Sequence, residues 1–154
     1  MAIEDPALRA RYVAAVDYAC LHFGNAFATT AMIAAYSAGG PWLGRLKRHI
    51  EGIICFLEEF IAARVPGIML AARPEASYLV WLDCRGLGLE GESGAEVSAL
   101  SAFMLRRARV KLSDGLSFGG PPTARFQRIN VACPRALLAA ALGRIADAIA
   151  DSQW

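Results

Sequence analysis

The side chains most able to do chemistry are thinly spread along the 154 residues. His22 falls in an apolar stretch and His49 on the charged side of a helical pattern, and neither has a carboxylate nearby in sequence to orient it as a general base. Ser113 and Ser117 lack a nucleophile-elbow context, which argues against a hydrolase triad. Gly86-Leu87-Gly88 has neither the third glycine nor the helix of a dinucleotide fingerprint. Arg106, Arg107 and Arg109 could meet a phosphate, but such a cluster more often closes a helix, where cations face the negative end of its dipole. Cys20, Cys55, Cys84 and Cys133 are widely separated, with no histidine in metal spacing, so no metal site and no disulfide framework is expected. Scattered, buried thiols in a reducing cytoplasm are the natural reading.

Arg128 stands apart. In Phe126-Gln127-Arg128-Ile129-Asn130-Val131-Ala132 a period of two places it on one face with Phe126 and Asn130, and puts Ile129 and Val131 on the other. The strand follows a Gly/Pro loop, where a site would open. A strand-borne arginine is a good clamp for a carboxylate, because its planar fork makes two parallel charge-assisted hydrogen bonds. An internal salt bridge to Asp83 or another acid would use the same residue equally well, and the pattern does not separate the two.

The elements that must position these groups divide into a helical first part and a mixed second part. Asp5-Pro6 is a helix start, an N-cap acid followed by proline at the first helical position. A second, small-residue helix is expected from about Ala26 to Tyr36. Pro41 then opens a long amphipathic helix with Leu43, Leu46, Ile50, Ile53, Ile54, Leu57, Phe60 and Ile61 on its apolar stripe, stopped by Pro66-Gly67. Short strands are expected at 68–70, 78–82, 110–112, 116–118 and 126–132, a loop from Gly86 to Gly94, a helix from about Ala95 to Arg107 and a terminal helix from Pro134.

Composition excludes whole classes of function. A net charge of +2 is too small for a protein whose main task is gripping nucleic acid, and 56% apolar residues exclude disorder. Tyr18 to Gly44 carries no Asp, Glu, Lys or Arg, yet His22, Asn25, Thr29, Thr30, Ser37 and the Gly39-Gly40-Pro41 break make it a buried helix and turn rather than a membrane span.

Three stretches, in order, carry a likeness to a known family. Pro74 to Leu89 (PEASYLVWLDCRGLGL), Leu112 to Gly119 (LSDGLSFG) and Arg128 to Arg135 (RINVACPR) resemble signatures of the class I/II aminotransferase superfamily, and more narrowly its cystathionine β-lyase-type C–S lyases. Ala34-Ala35-Tyr36 with Gly39 and Trp42-Leu43 also fits. The resemblance implies the α/β C-terminal part of a fold type I pyridoxal-phosphate (PLP) enzyme: helices on a small, mainly antiparallel sheet, preceded by two helices and a long bridging helix. Residues 1–40 would belong to the large domain and 41–154 to the small domain. It further implies that Arg128 binds the α-carboxylate of an amino-acid substrate, with Asn130 and Ser117 as lesser candidates nearby. The family's cofactor-tethering lysine lies upstream of the matched region. Neither Lys47 nor Lys111 matches it, so PLP is expected in the complete enzyme and not on this chain alone. No catalytic residue is therefore expected here, and the missing PLP-binding domain is the expected partner. The uncharged stretch would then self-associate through residues 18–44. A stand-alone, non-catalytic binding or interaction module derived from the same domain is the alternative, and a cytoplasmic location suits either.

Overall fold

The computed structural model describes residues 3–21, 24–89 and 97–152. The chain divides into two compact units, Met1–Arg45 and Leu46–Trp154. His22, the expected loop from 90 to 94 and the expected helix start at Ala95 lie outside the described residues.

In the first unit, helix α1 spans Pro6–Tyr18 and opens as its sequence implies. Asp5 is the N-cap, its Oδ1 accepting a 2.7 Å hydrogen bond from the Leu8 N–H, with Pro6 in the first turn. Helix α2 spans Ala28–Ala38, two residues later than expected at each end, and Asn25 Oδ1 accepts from the Phe27 N–H just before it. Neither helix has a buried residue. Tyr18, Phe27, Met32, Ile33, Tyr36 and Trp42 are all exposed, so the helix expected to be buried is bare in this chain. Its Ala, Thr and Ser positions give it little bulk with which to build a core of its own.

The second unit holds the core. Helix α3 spans Gly40–Arg64, beginning one residue before the proline, and turns Ile53, Ile54, Leu57 and Ile61 inward. It stops at Pro66-Gly67, where Gly67 takes a φ of +83° and lies against the Gly86 backbone. A Cβ on Gly86 would sit 2.7 Å from the Gly67 Cα, so this crossing requires glycine. Strands β1 (Met69–Leu70), β2 (Leu79–Asp83), β3 (Ser113–Asp114) and β4 (Phe126–Asn130) form one antiparallel sheet in the order β1-β2-β4-β3. Helix α4 (Ala99–Arg106) contributes Leu100, Phe103 and Met104. Helix α6 (Arg135–Ala150) contributes Leu138, Leu142, Ile145 and Ile149. With Val80, Leu82, Ile129 and Val131 from the sheet these form a single apolar cluster.

Several expectations fail for local reasons. Helix α4 starts later than Ala95 because Ser98 is its N-cap, Oγ accepting from the Ser101 N–H at 3.0 Å; Val97, just before the cap, is exposed. Residues 110–112 are not a strand. After α4 the chain passes through a positive φ at Arg109, and the Val110 N–H bonds back to the Met104 carbonyl at 2.9 Å. The strand there is Ser113–Asp114 instead. The stretch 116–118, expected to be extended, is a short helix, α5 (Leu116–Gly119). Pro121–Thr123 makes one 3-10 turn where a plain loop is expected. The cysteines are free, but only Cys84 is fully buried, and Cys20 is exposed. Burial pushes the Cys84 thiol up to about 12.

Removing a fully enclosed side chain costs both transfer energy and a cavity. Leu57→Ala and Leu142→Ala are each expected to destabilise the fold by about 2–5 kcal/mol in urea unfolding. Leu8→Ala, on an exposed helix, is expected to stay within about 0.5 kcal/mol of the parent.

Candidate functional site

The burial of β4 alternates: Gln127 and Ile129 are buried, while Phe126, Arg128 and Asn130 lie on the outer face. The expected face for Arg128 is therefore the observed one. Antiparallel pairing sets Trp81 of β2 opposite Arg128, and Ser113 of β3 on its other side. Phe118 of α5 comes over this pair. The Arg128 guanidinium carbon stands 4.4 Å from the Phe118 ring centroid, and the Trp81 and Phe118 rings meet edge to face at 5.3 Å. A cation over an aromatic face is held by the ring's negative charge density, which suits the flat, weakly hydrated guanidinium.

Among the described residues no carboxylate pairs with Arg128, and its Nε is buried without a hydrogen-bond partner. Asp83, the acid that could have claimed it, is taken by Arg85. Arg85 donates from its backbone N–H at 3.0 Å and from Nη2 at 2.6 Å. The guanidinium of Arg85 holds the Asp83 carboxyl below the usual carboxylate range. Of the two readings left open by the sequence, the internal ion pair to Asp83 is excluded.

Asn130 shares a cleft of about 570 Å³ with Arg128, Lys111, Ser113, Leu137 and Ala141. Its own Oδ1 is occupied, accepting from the Ala132 N–H at 2.8 Å and so ending the strand. Ser117 is exposed on α5, beside Phe118 rather than in the cleft. Sequence reasoning missed Phe118 and Trp81. The period of β2 could have placed Trp81 on the outer face, but reading 116–118 as extended hid Phe118. It also missed Gln127, which is fully buried on the inner face with neither amide atom paired among the described residues.

The segment under Phe118 is pinned by polar contacts. Asp114 accepts from the Ser98 N–H at 2.8 Å, from Ser98 Oγ at 2.7 Å and from the Leu116 N–H at 3.2 Å. The Thr123 hydroxyl lies 2.7 Å from the Gly115 carbonyl and 2.8 Å from that of Gly120. Gly115 has no room for a side chain, since a Cβ would stand 2.2 Å from the Thr123 carbonyl oxygen. Farther out, Arg73 bridges Glu51 and Glu58 and ties the chain after β1 to α3.

No metal-binding cluster of His, Cys, Asp or Glu occurs among the described residues, and none of the helices described is long and apolar enough to cross a membrane. The donor set around Arg128 does not make a PLP site by itself. Lys111 lines the cleft and could offer an amine, but none of the described residues lining it is an acid that could hold a protonated pyridine nitrogen. Lys47 is exposed on α3.

No family model matches the chain. It is 40% identical over 147 residues to cystathionine beta-lyase PatB of Bacillus subtilis, a match covering 96% of this chain and 36% of the relative. It is 29% identical over 125 residues to protein MalY of Escherichia coli, covering 81% of this chain and 30% of the relative. Among solved structures, the PLP-containing cystalysin of Treponema denticola superposes with a TM-score of 0.73 at 27% identity, over 97% of this chain and 36% of that one. The PLP-bound C–S lyase of Staphylococcus hominis gives 0.72 at 26% identity, over 89% and 35%. Fold and sequence together define an α/β protein of the fold type I PLP-enzyme class, the aminotransferase superfamily. Within that class the chain belongs with the cystathionine β-lyase-type C–S lyases and matches their C-terminal part. It spans about a third of the length of the curated relatives it matches.

The Asp83–Arg85 pair yields a pH prediction. A carboxyl held below its unfolded value contributes stability that is present above the unfolded value and lost as pH falls through the folded one. Unfolding free energy measured against pH should therefore decline on the acid side. Asp83→Asn should lower the plateau and flatten that decline. An unchanged acid limb in Asp83→Asn would mean that the pair contributes nothing.

Proposed function

We propose that this chain is the substrate-carboxylate-holding portion of a PLP-dependent enzyme that acts on amino acids by C–S β-elimination or transamination. In this reading residues 1–40 go with the large PLP-binding domain and residues 41–154 form the small one. The observation that carries it is the state of Arg128: fixed against an aromatic ring, on the outer face of the sheet, with no described carboxylate to neutralise it. Its task is to take the substrate's α-carboxylate in a two-point, charge-assisted grip and so orient the amino acid. The bond-breaking chemistry at Cα belongs to the part of the enzyme that holds PLP, so the chain alone has no turnover.

One exposed ion pair contributes only about 0–1 kcal/mol, so carboxylate binding to the isolated chain is weak. The decisive assay supplies the remaining two thirds of a relative by co-expression, adds PLP and L-cystathionine, and follows keto-acid release. Activity is expected only in the reconstituted pair. Arg128→Ala should lower kcat/KM about a hundred-fold, the scale of stranding one partner of a close charge pair. Turnover by the chain on its own with PLP would overturn this reading. The self-contained core of Leu46–Trp154 favours, as a second reading, a non-catalytic binding module. That reading gains if the reconstituted pair stays inactive while carboxylates still bind.

The bare helix α2 implies a covering surface. In the complete enzyme that is the rest of the large domain, and for the isolated chain it is a second copy. Light scattering should report self-association that Ile33→Asp, in the middle of the exposed stretch, reverses. A strictly monomeric parent chain at high concentration contradicts this.

A further inference from the structure

We infer that Phe118 is a positioning residue for Arg128, so that capture of a carboxylate depends on a ring the ligand need not touch. The inference rests on the carboxylate reading of Arg128. Three observations carry it. The ring lies over the guanidinium at 4.4 Å and is itself met edge-on by Trp81, the cross-strand neighbour of Arg128. A cation–π partner makes no claim on the guanidinium N–H donors, the part a carboxylate needs, and Arg128 Nε has no hydrogen-bond partner among the described residues.

The second observation is that Phe118 does not serve the core. It is 51% exposed, outside the apolar cluster, on a four-residue helix too short to persist by itself. The third is the scaffolding that holds this exposed ring. The Asp114 carboxylate, the Thr123 hydroxyl and the side-chain-free Gly115 fix both ends of the segment that carries it. An arginine has many rotamers, and a ring that selects one of them during folding removes that ordering from the cost of binding.

The test uses the chain itself, with acetate as the carboxylate probe and sodium chloride at equal ionic strength as the control. Two-dimensional NMR follows the Arg128 Nε–Hε resonance in the parent, in Phe118→Leu and in Phe118→Tyr. The parent resonance should sit apart from the other arginines through the ring current and should move on titration with acetate but not with chloride. Phe118→Leu should return it to the common arginine region and weaken acetate binding about three-fold or more, the scale of a lost cation–π contact. Phe118→Tyr should restore both. Because Phe118 lies outside the core, the backbone spectrum of α6 should be unchanged in all three, which separates a positioning role from general unfolding. Equal acetate affinity in the parent and Phe118→Leu overturns the positioning role and leaves the carboxylate reading intact. A parent Arg128 that ignores acetate overturns the carboxylate reading at its root and takes the positioning role with it.

Discussion

The pairing of β2 with β4 is the constraint on which the site depends. Its register puts Val80 against Ile129 and Trp81 against Arg128. A pleated strand sends neighbouring side chains to opposite faces, so one choice of register decides both sides at once. The inner row joins the apolar cluster beneath the sheet, and burying each such side chain contributes about 1.5–3 kcal/mol. The outer row needs no burial, and so it is free to carry charge.

On that outer face the electrostatics are arranged by exclusion. Asp83 lies on the neighbouring strand, opposite Phe126 rather than Arg128. It turns to Arg85, two residues along its own chain, which also lies over the Phe126 ring. Arg73 is bound in the same way by Glu51 and Glu58. Among the described residues Arg128 is left with an aromatic neighbour and no paired carboxylate.

Much of this was legible in the residues, and the exceptions have identifiable causes. The long stripe from Ile53 to Ile61 and the alternation of β4 are strong periodic signals over enough residues to be read, and Asp5-Pro6 marks a helix start by its own chemistry. Short segments were not legible. Leu116-Ser117-Phe118 looks extended in isolation, but the Asp114 carboxylate capping the Leu116 N–H and the close approach of Gly115 to the Thr123 backbone fold it into a turn of helix. Those partners are close in the chain, but they act through geometry that composition does not carry. For Arg128, residue type and spacing suggested a carboxylate clamp or an ion pair without deciding. The structure removes Asp83 as the partner, since Asp83 pairs with Arg85, and the clamp is the proposed reading.

Gln127 bears on how firmly this strand is placed. Its amide is fully buried one residue before the charged side chain, with neither amide atom paired among the described residues, so polar groups occur on both sides of β4 and hydrophobicity alone is a poor guide to which side faces in. What forbids the strand from slipping by one position is the far larger penalty of drawing the guanidinium, and Asn130 with it, into the interior. An uncharged but unsatisfied glutamine is the lesser of two misfits. Its presence means that the strand keeps its place through the ion it must not swallow as much as through the oil it buries.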